Sequence, residues 1–107
     1  ESSALALGDI EIFPAQRRVT KADVEIRLNY GEFSILYCMA CCPGRVFSRE
    51  QLYNAAWGED YELGTNTIDN TIWRLRQKLE PDPKHPTYIK TVFRMGYKIV
   101  RPEKNQS

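Results

Sequence analysis

The beginning of this chain alternates apolar and polar residues over short stretches. The run LALGDIEIF is followed by two further alternating runs at residues 17–20 and 24–28, with a turn near Lys21-Ala22-Asp23 between them. Short strands at such close spacing predict an antiparallel meander. The arginines of this region are then expected on the solvated face of the sheet: Arg17, Arg18 and Arg27.

From residue 29 onward the apolar residues recur at helical spacing. Asn29 and Glu32 have the spacing of a capping box at the start of a first helix, and Pro43-Gly44 ends that helix. Ser48 and Gln51 repeat the spacing for a second helix, which ends near Trp57-Gly58. The change of period therefore predicts two helices after the strands.

A third helix is predicted from about Thr65 to Leu79, and Pro81 closes it. Its core-facing stripe is formed by Ile68, Ile72, Leu75 and Leu79. Two β-rich runs follow, YIKTV and YKIV, with Gly96 in the turn between them. Strands, three helices and a hairpin, in this order, are the layout of a winged helix-turn-helix, an α+β fold.

The face of the third helix opposite its apolar stripe holds amides, one tryptophan and one arginine. Its members are Asn66, Asn70, Trp73, Arg74 and Gln77, flanked by Thr67, Thr71 and Lys78 on one side and by Asp69 and Arg76 on the other. A helix fits the major groove of DNA, where arginine pairs with guanine and asparagine or glutamine with adenine, while hydroxyls and amines hold phosphates. The simpler interpretation is that Trp73 packs against a neighbouring element and Arg74 is solvated.

Charge is distributed unevenly, although the net charge of the 107 residues is only +1. Residues 65–101 contain eight Lys/Arg and three Asp/Glu, whereas residues 29–64 contain two and five. Lys90, Arg94 and Lys98 surround the predicted hairpin turn. A basic surface on a small domain indicates a polyanionic partner, nucleic acid first.

Composition limits the remaining function classes. The length suits one domain over residues 1–101, with a disordered tail at 102–107. No transmembrane run or secretory signal is found, and the missing initiator Met suggests a piece of a longer protein. The sequence contains one histidine, and it has no Gly-rich phosphate loop and no His-Glu-x-x-His motif. We therefore expect that the protein is not an enzyme and binds no cofactor.

Three cysteines fall in the stretch YCMACCPG. Cys38, Cys41 and Cys42 have the spacing of one helix face and are predicted to be small buried residues. A metal site would need a fourth ligand, which only His85 could supply as an imidazole, and a redox role is the other alternative. Clustered, odd-numbered thiols argue against a disulfide framework.

Three stretches resemble the C-terminal effector domain of OmpR/PhoB-type two-component response regulators. They are GRVFSREQLYNAAWG, TIDNTIWRLRQKLEPDP and YIKTVFRMGYKI, in the family's order and spacing. The resemblance runs from about Leu5 to Val100. It implies a four-stranded antiparallel sheet, a three-helix core and a β-hairpin wing, with the third helix as the recognition helix.

The resemblance also implies roles for single residues. Arg74 matches the base-reading arginine, and Asn70 and Trp73 occupy variable positions that tune sequence preference, as does Thr71. The family's phosphate contacts match Arg49, Trp57, Arg76, Thr91 and Tyr97. Further backbone contacts are expected from Asn66, Thr67, Thr71, Lys78 and Arg94.

Two positions depart from the family pattern. Trp73 stands where some members place a second arginine, which predicts apolar contact with a thymine methyl group. The wing reads Val92-Phe93-Arg94-Met95-Gly96-Tyr97, whereas many members read Val-Arg-Gly-x-Gly-Tyr. Strand alternation then turns Arg94 away from the minor groove unless the turn is reshaped. Phe93 is either a core residue or a wedge.

The leading hypothesis is sequence-specific binding of double-stranded DNA for transcription regulation. The resemblance implies direct-repeat half-sites bound by monomers that pair on DNA, with a receiver domain and sensor kinase upstream. A cytoplasmic location is expected because DNA is there. The resemblance also implies that the loop at Glu59, Asp60, Tyr61 and Glu62 faces RNA polymerase, as in some members. The alternative is a winged-helix protein-docking module that uses the acidic loop 58–64.

Overall fold

The computed structural model describes residues 4–58 and 66–101. Its strands are β1 (Leu5–Leu7), β2 (Ile10–Phe13), β3 (Arg18–Lys21), β4 (Val24–Ile26), β5 (Ile89–Val92) and β6 (Gly96–Ile99). Its helices are α1 (Tyr30–Ala40), α2 (Arg49–Trp57) and α3 (Thr67–Leu79). The predicted order of a sheet, three helices and a hairpin is confirmed. The proposed tail at 102–107 lies outside the described residues.

The first four strands form one antiparallel sheet in the order β1-β2-β3-β4. Its register pairs Leu5 with Ile12, Ile12 with Val19 and Val19 with Ile26, so these side chains share one face. Leu7 and Ile10 are also buried beneath the sheet. The alternating pattern of the sequence therefore predicted which face of the meander covers the core.

Arg17 was predicted on the solvated face of the sheet, but it lies outside the strands. It follows a short 3-10 turn at Pro14–Gln16 and adopts a left-handed backbone with φ of 50°. Its guanidinium lies 4.5 Å from the centre of the Phe33 ring, and its Nη2 donates to Ser34 Oγ at 3.0 Å. This arginine therefore packs the turn against α1 by a cation–π contact. Arg18 and Arg27 are exposed, as expected.

Both predicted capping boxes are present. Asn29 Oδ1 accepts from the Glu32 backbone N–H at 2.8 Å, and Glu32 Oε1 accepts from the Asn29 N–H at 3.0 Å. Ser48 and Gln51 make the same reciprocal pair at 3.0 and 2.9 Å. These bonds satisfy N–H groups that the first helical turn leaves without partners, so they define where α1 and α2 begin.

The apolar stripe of α3 is buried, as predicted. Its members are Ile68, Ile72, Leu75 and Leu79, none more than 1% exposed. The helix packs against α1, and Lys78 near its end donates to the buried Glu32 carboxylate at 2.7 Å. In the described part of the chain, no helix has both the length and the apolar character needed to cross a membrane.

The hairpin is attached to the helices by backbone pairing and by one buried carboxylate. Phe47 and Tyr97 exchange N–H···O bonds of 2.8 and 2.9 Å, so the connection between α1 and α2 lies along β6. Glu80, just after α3, accepts from the backbone N–H groups of Thr87, Tyr88 and Ile89. The base of the hairpin is thereby held to the end of α3.

The prediction of three buried cysteines is wrong for two of them. Helix α1 ends at Ala40, so the chain turns away before helical spacing carries Cys41 and Cys42 onto the core face, and both are exposed. Cys38 is half-buried, and this burial, followed by the two neighbouring thiols, raises its pKa. Among the described residues, no three candidate ligands are grouped to hold a metal.

Gly96 offers a test of how tightly the hairpin is attached. Its φ is 140°, and a Cβ there would collide with the carbonyl of Phe47. We expect Gly96→Ala to lower the free energy of unfolding by about 3 kcal/mol or more, because overpacking adds about 1–3 kcal/mol to a similar backbone cost. Urea unfolding followed by circular dichroism measures this loss.

The control is Gly44→Ala. Gly44 also has a positive φ, 89°, but nothing lies within 4 Å of its added Cβ. It should show only the backbone cost, about 1–3 kcal/mol. Equal losses in the two variants would contradict the close approach of Gly96 to Phe47.

Candidate nucleic-acid interface

The outer face of α3 presents the three predicted base-contacting residues together. Asn70, Trp73 and Arg74 are all exposed, as is Gln77 one turn further on. Trp73 is 62% exposed, so it does not pack into a neighbouring element as the simpler interpretation required. An amide, an indole and a guanidinium therefore form one contiguous outward row, because residues three and four apart lie on the same helix face.

The start of α3 adds polar groups beside this row. Asn66 is the N-cap residue, is exposed, and makes no side-chain capping bond to the helix. Thr67 follows at the first helical position and is half-buried. The free N–H groups of a helix start and its positive dipole end favour an anion such as a phosphate.

Thr71 is not at the surface where it was predicted to contact DNA. It is only 4% exposed, and its hydroxyl donates to the Thr67 carbonyl at 2.8 Å. Helical spacing placed Thr71 on the flank of the outward face, but packing covers that flank. We therefore remove Thr71 from the interface.

Asp69, on the opposite flank, is the centre of a polar cluster with Arg49 of α2 and Tyr97 of β6. Its Oδ1 accepts from Arg49 Nε at 2.7 Å and from the Tyr97 hydroxyl at 2.6 Å. Burial alone would raise the pKa of Asp69, but these two hydrogen bonds and the charge of Arg49 lower it below its usual value. The carboxylate is thus held in its charged form.

The same contacts shift the pKa values of Tyr97 and Arg49. Burial, followed by the hydrogen bond to Asp69, raises the pKa of Tyr97, a residue that is only 5% exposed. The hydrogen bond to Asp69 raises the pKa of Arg49. Tyr97 was predicted to touch a phosphate; in the free protein its hydroxyl donates to Asp69 and joins the hairpin to α3.

Arg76 and Thr91 join α3 to β5 directly. Arg76 Nη2 donates to the Ile89 carbonyl at 2.9 Å and to Thr91 Oγ1 at 2.8 Å. Its guanidinium also lies 5.7 Å from the centre of the Tyr97 ring. The two predicted phosphate contacts are therefore partners of each other in the free protein, at the edge of the surface.

Lys78 points away from the outward row. Its ammonium donates to Glu32 and to the Arg27 carbonyl, at 2.7 and 3.0 Å, both of them on the side of α1. Its charge neutralises a carboxylate that is only 1% exposed. A buried charge is strongly unfavourable without a partner, so in the free protein Lys78 neutralises Glu32 and does not join the outward row.

Trp57 is the last residue of α2, and Arg94 lies in the turn between β5 and β6. Trp57 is half-buried, and its ring is tilted by 41° against that of Tyr53 with ring centres 4.9 Å apart. It also lies against Gly31, where an added Cβ would come within 2.5 Å of the indole. Arg94 is exposed at the hairpin turn with φ of 65°. Because Arg94 is in the turn and not in a strand, the argument from strand alternation does not apply to it.

Two further lysines, Lys84 and Lys90, lie near Arg76. An open cavity of about 680 Å³ lies between Arg76, the segment 83–87 and β5, and its lining includes Lys84, His85 and Lys90. The acidic residues predicted to face RNA polymerase, at 59–62, lie outside the described residues.

Two features of the site were missed by sequence reasoning. Asp69 was recognised only as a flanking residue, since its partners Arg49 and Tyr97 are 20 and 28 residues away. Its spacing of seven from Arg76 was the available signal that one flank faces another element. Met95, 60% exposed beside Phe93, carried no signal apart from its place in a turn.

Comparison with known proteins identifies relatives of this arrangement. Residues 23–99 match the family model described as "Transcriptional regulatory protein, C terminal". The DNA-binding domain of RstA from Klebsiella pneumoniae, solved in complex with the RstA box, is 28% identical with a TM-score of 0.85. That alignment covers 92% of this chain and 98% of the other.

Two further solved structures are similar to this chain over most of its length. The DNA-binding domain of CpxR from E. coli is 29% identical with a TM-score of 0.83, covering 94% of this chain and 99% of that one. DrrB, an OmpR/PhoB homologue from Thermotoga maritima, is 32% identical with a TM-score of 0.81. The alignment covers 91% of this chain but 44% of DrrB, so DrrB contains more than this domain.

The Asp69 cluster predicts a pH dependence of stability. Because the pKa of Asp69 is lower in the folded than in the unfolded chain, protonation favours unfolding. Its contribution is complete well above the ordinary pKa of 3.8 and is lost as the pH falls through that value and then through the lower folded pKa. We expect Asp69→Asn to cost at most about 1 kcal/mol at neutral pH, since the pair is more than a third exposed.

Urea unfolding at a series of pH values checks this expectation. The difference between Asp69→Asn and the parent protein should shrink as the pH falls, while other acid-sensitive groups such as Asp82 cancel in the comparison. Asp23→Asn, in the exposed turn between β3 and β4, is the control. A difference that stays constant down to the lowest pH would contradict the charged cluster.

Proposed function

Because this chain belongs to the family of C-terminal domains of transcriptional regulatory proteins, we propose that α3 enters the major groove of DNA as its recognition helix. The domain is a winged-helix, OmpR/PhoB-type response-regulator domain that binds DNA to regulate transcription, and it is not an enzyme. The observation that supports α3 is its outward row, Asn70, Trp73 and Arg74, opposite a buried apolar stripe.

The chemistry of the row suits base edges. Arg74 donates two parallel hydrogen bonds to guanine, and Asn70 pairs with the edge of adenine. Trp73, exposed and apolar, suits a thymine methyl group. Each good bidentate pair discriminates against a wrong base by about 1–3 kcal/mol.

Phosphates are contacted by the groups that surround this row. Asn66 and Thr67 present the start of α3, Arg49 and Trp57 lie on the α2 side, and Arg94 lies at the wing. Arg76 and Thr91 reach the same backbone from the hairpin side while holding each other. Such contacts set orientation and make affinity depend on salt, because bound counterions are released from DNA.

The remaining partners follow from the position of this domain in its family. We propose that two copies bind direct-repeat half-sites as a dimer on DNA, that each is a monomer when isolated, and that a receiver domain and sensor kinase act upstream. The acidic segment 59–62 faces RNA polymerase in this proposal. Since its ligand is DNA, the domain acts in the bacterial cytoplasm.

Selection from a pool of random duplexes at two salt concentrations tests the role of Arg74. We expect one motif to be enriched, with an affinity that falls steeply with salt. Arg74→Ala should weaken binding to that motif by about 1–3 kcal/mol and relax preference at one base pair.

Arg18→Ala is the matched control, because Arg18 is an exposed arginine on β3 paired with Glu25. It should leave the motif and its affinity unchanged. If Arg74→Ala selects the same motif with the same affinity, Arg74 does not contact a base edge and α3 does not recognise DNA as proposed.

Duplexes with one or two copies of the selected motif test the arrangement on DNA. Sedimentation should detect two domains on a direct repeat, and inverted copies should bind more weakly. The combined variant Glu59→Gln, Asp60→Asn and Glu62→Gln should bind these duplexes normally but recruit less RNA polymerase. Equal binding to inverted copies, or unchanged recruitment, would refute the corresponding part.

A further inference from the structure

The turn of the β5–β6 hairpin exposes two large apolar side chains on either side of an arginine. Phe93 is 80% exposed and Met95 is 60% exposed, and both lie in the three-residue loop between the paired residues Val92 and Gly96. Neither side chain contributes to the core. An apolar tip at the end of a protruding arm is unfavourable in water unless a partner covers it.

The conformation of this turn keeps all three side chains outward. The Met95 N–H donates to the Val92 carbonyl at 2.9 Å, which closes the turn. Arg94 has φ of 65°, a region that favours glycine, so the chain keeps an arginine where a glycine would fold more easily. The Arg94 guanidinium lies 5.1 Å from the centre of the Phe93 ring. The tip therefore combines an aromatic surface with a cation.

The arm that carries this tip is fixed relative to α3. Thr91, before the turn, is bonded to Arg76, and Tyr97, after the turn, is bonded to Asp69, so both strands of the hairpin are attached to α3. Gly96 packs against the carbonyl of Phe47 with no room for a side chain. Phe93 lies two residues beyond Thr91, about 7 Å along the strand direction. The tip thus lies just beyond the residues that attach the hairpin to α3.

The charge of the arm indicates what the tip meets. Residues 88–101 contain four cations, Lys90, Arg94, Lys98 and Arg101, and no acidic residue. Lys90 and Lys98 are directly paired across the strands, although like charges opposite each other are destabilising. A polyanion relieves this repulsion. Because the arm is attached to the recognition helix, DNA is the polyanion that both features share.

We propose that Phe93, flanked by Met95, is a wedge that enters the minor groove beside the groove occupied by α3 and partly unstacks one base step. Phenylalanine and methionine are among the side chains that open base steps and bend DNA towards the major groove. Arg94 accompanies the ring and neutralises the negative potential of the groove. This inference rests on the proposed function and adds a second source of specificity to it.

A wedge makes the protein sensitive to bases that it does not read. Pyrimidine–purine steps unstack most easily, so we expect the selected motif to carry a TA or CA/TG step at the position of the wing. Preference there arises from the deformability of DNA, whereas preference under α3 arises from hydrogen bonds to base edges.

The experiment uses the selected duplex with a fluorescent adenine analogue, quenched by stacking, at successive positions. Energy transfer between dyes at the two duplex ends reports bending of the same molecule. The full chain should raise the fluorescence at one step and shorten the end-to-end distance. Phe93→Ala should lose both signals while selecting the same motif under α3, and Phe93→Leu should keep both because leucine is also an apolar wedge. Val24→Ala, at an exposed apolar residue of β4, is the control and should change neither.

The outcomes separate the wedge from the function on which it rests. Specific binding of the parent protein to a straight, fully stacked duplex would overturn the wedge and leave the recognition helix in place. Signals that survive in Phe93→Ala would also overturn it. Failure of the parent protein to select any motif would overturn the proposed function itself, and the wedge with it.

Discussion

The carboxylate of Asp69 joins the three elements on which the DNA-binding surface depends. It lies on the flank of α3 and holds Arg49 of α2 and Tyr97 of β6 at once. A helix that rotated by one residue would turn its outward face by about 100°. The buried stripe of Ile68, Ile72, Leu75 and Leu79 sets the rotation of α3, and the two bonds to Asp69 add to it by joining this flank of the helix to α2 and to the hairpin.

Several cations of the basic third of the chain are used inside the protein. Lys78 neutralises the buried Glu32, and Arg76 is bonded to the backbone and hydroxyl of β5. Arg76 holds the hairpin in place by these bonds and also contributes positive potential to the DNA-binding surface. Because its side chain is already ordered, it loses less conformational entropy when DNA binds.

The DNA-binding surface includes two exposed aromatic side chains, Trp73 on α3 and Phe93 at the turn of the hairpin. In the family pattern each position is an arginine in some members, whereas here both are aromatic and the wing keeps its arginine at the next position, Arg94. The aromatic rings add contact with methyl groups and bases to the contacts that the cations make. We infer that the sequence preference of this chain differs from that of arginine-bearing relatives more than its fold does.

The sequence by itself determined the elements, because their signals act within three or four residues. The capping boxes at Asn29 and Ser48, the buried stripe of α3 and the strand alternation were all readable before the structure. Only the tertiary structure decided which flanking residues face inward. Thr71 is buried by packing, and Lys78 bonds to the Arg27 carbonyl 51 residues away. Local periodicity shows which residues form the apolar face of a helix. The elements that cover the flanks of that face come from distant parts of the chain, so they cannot be read from the helix itself.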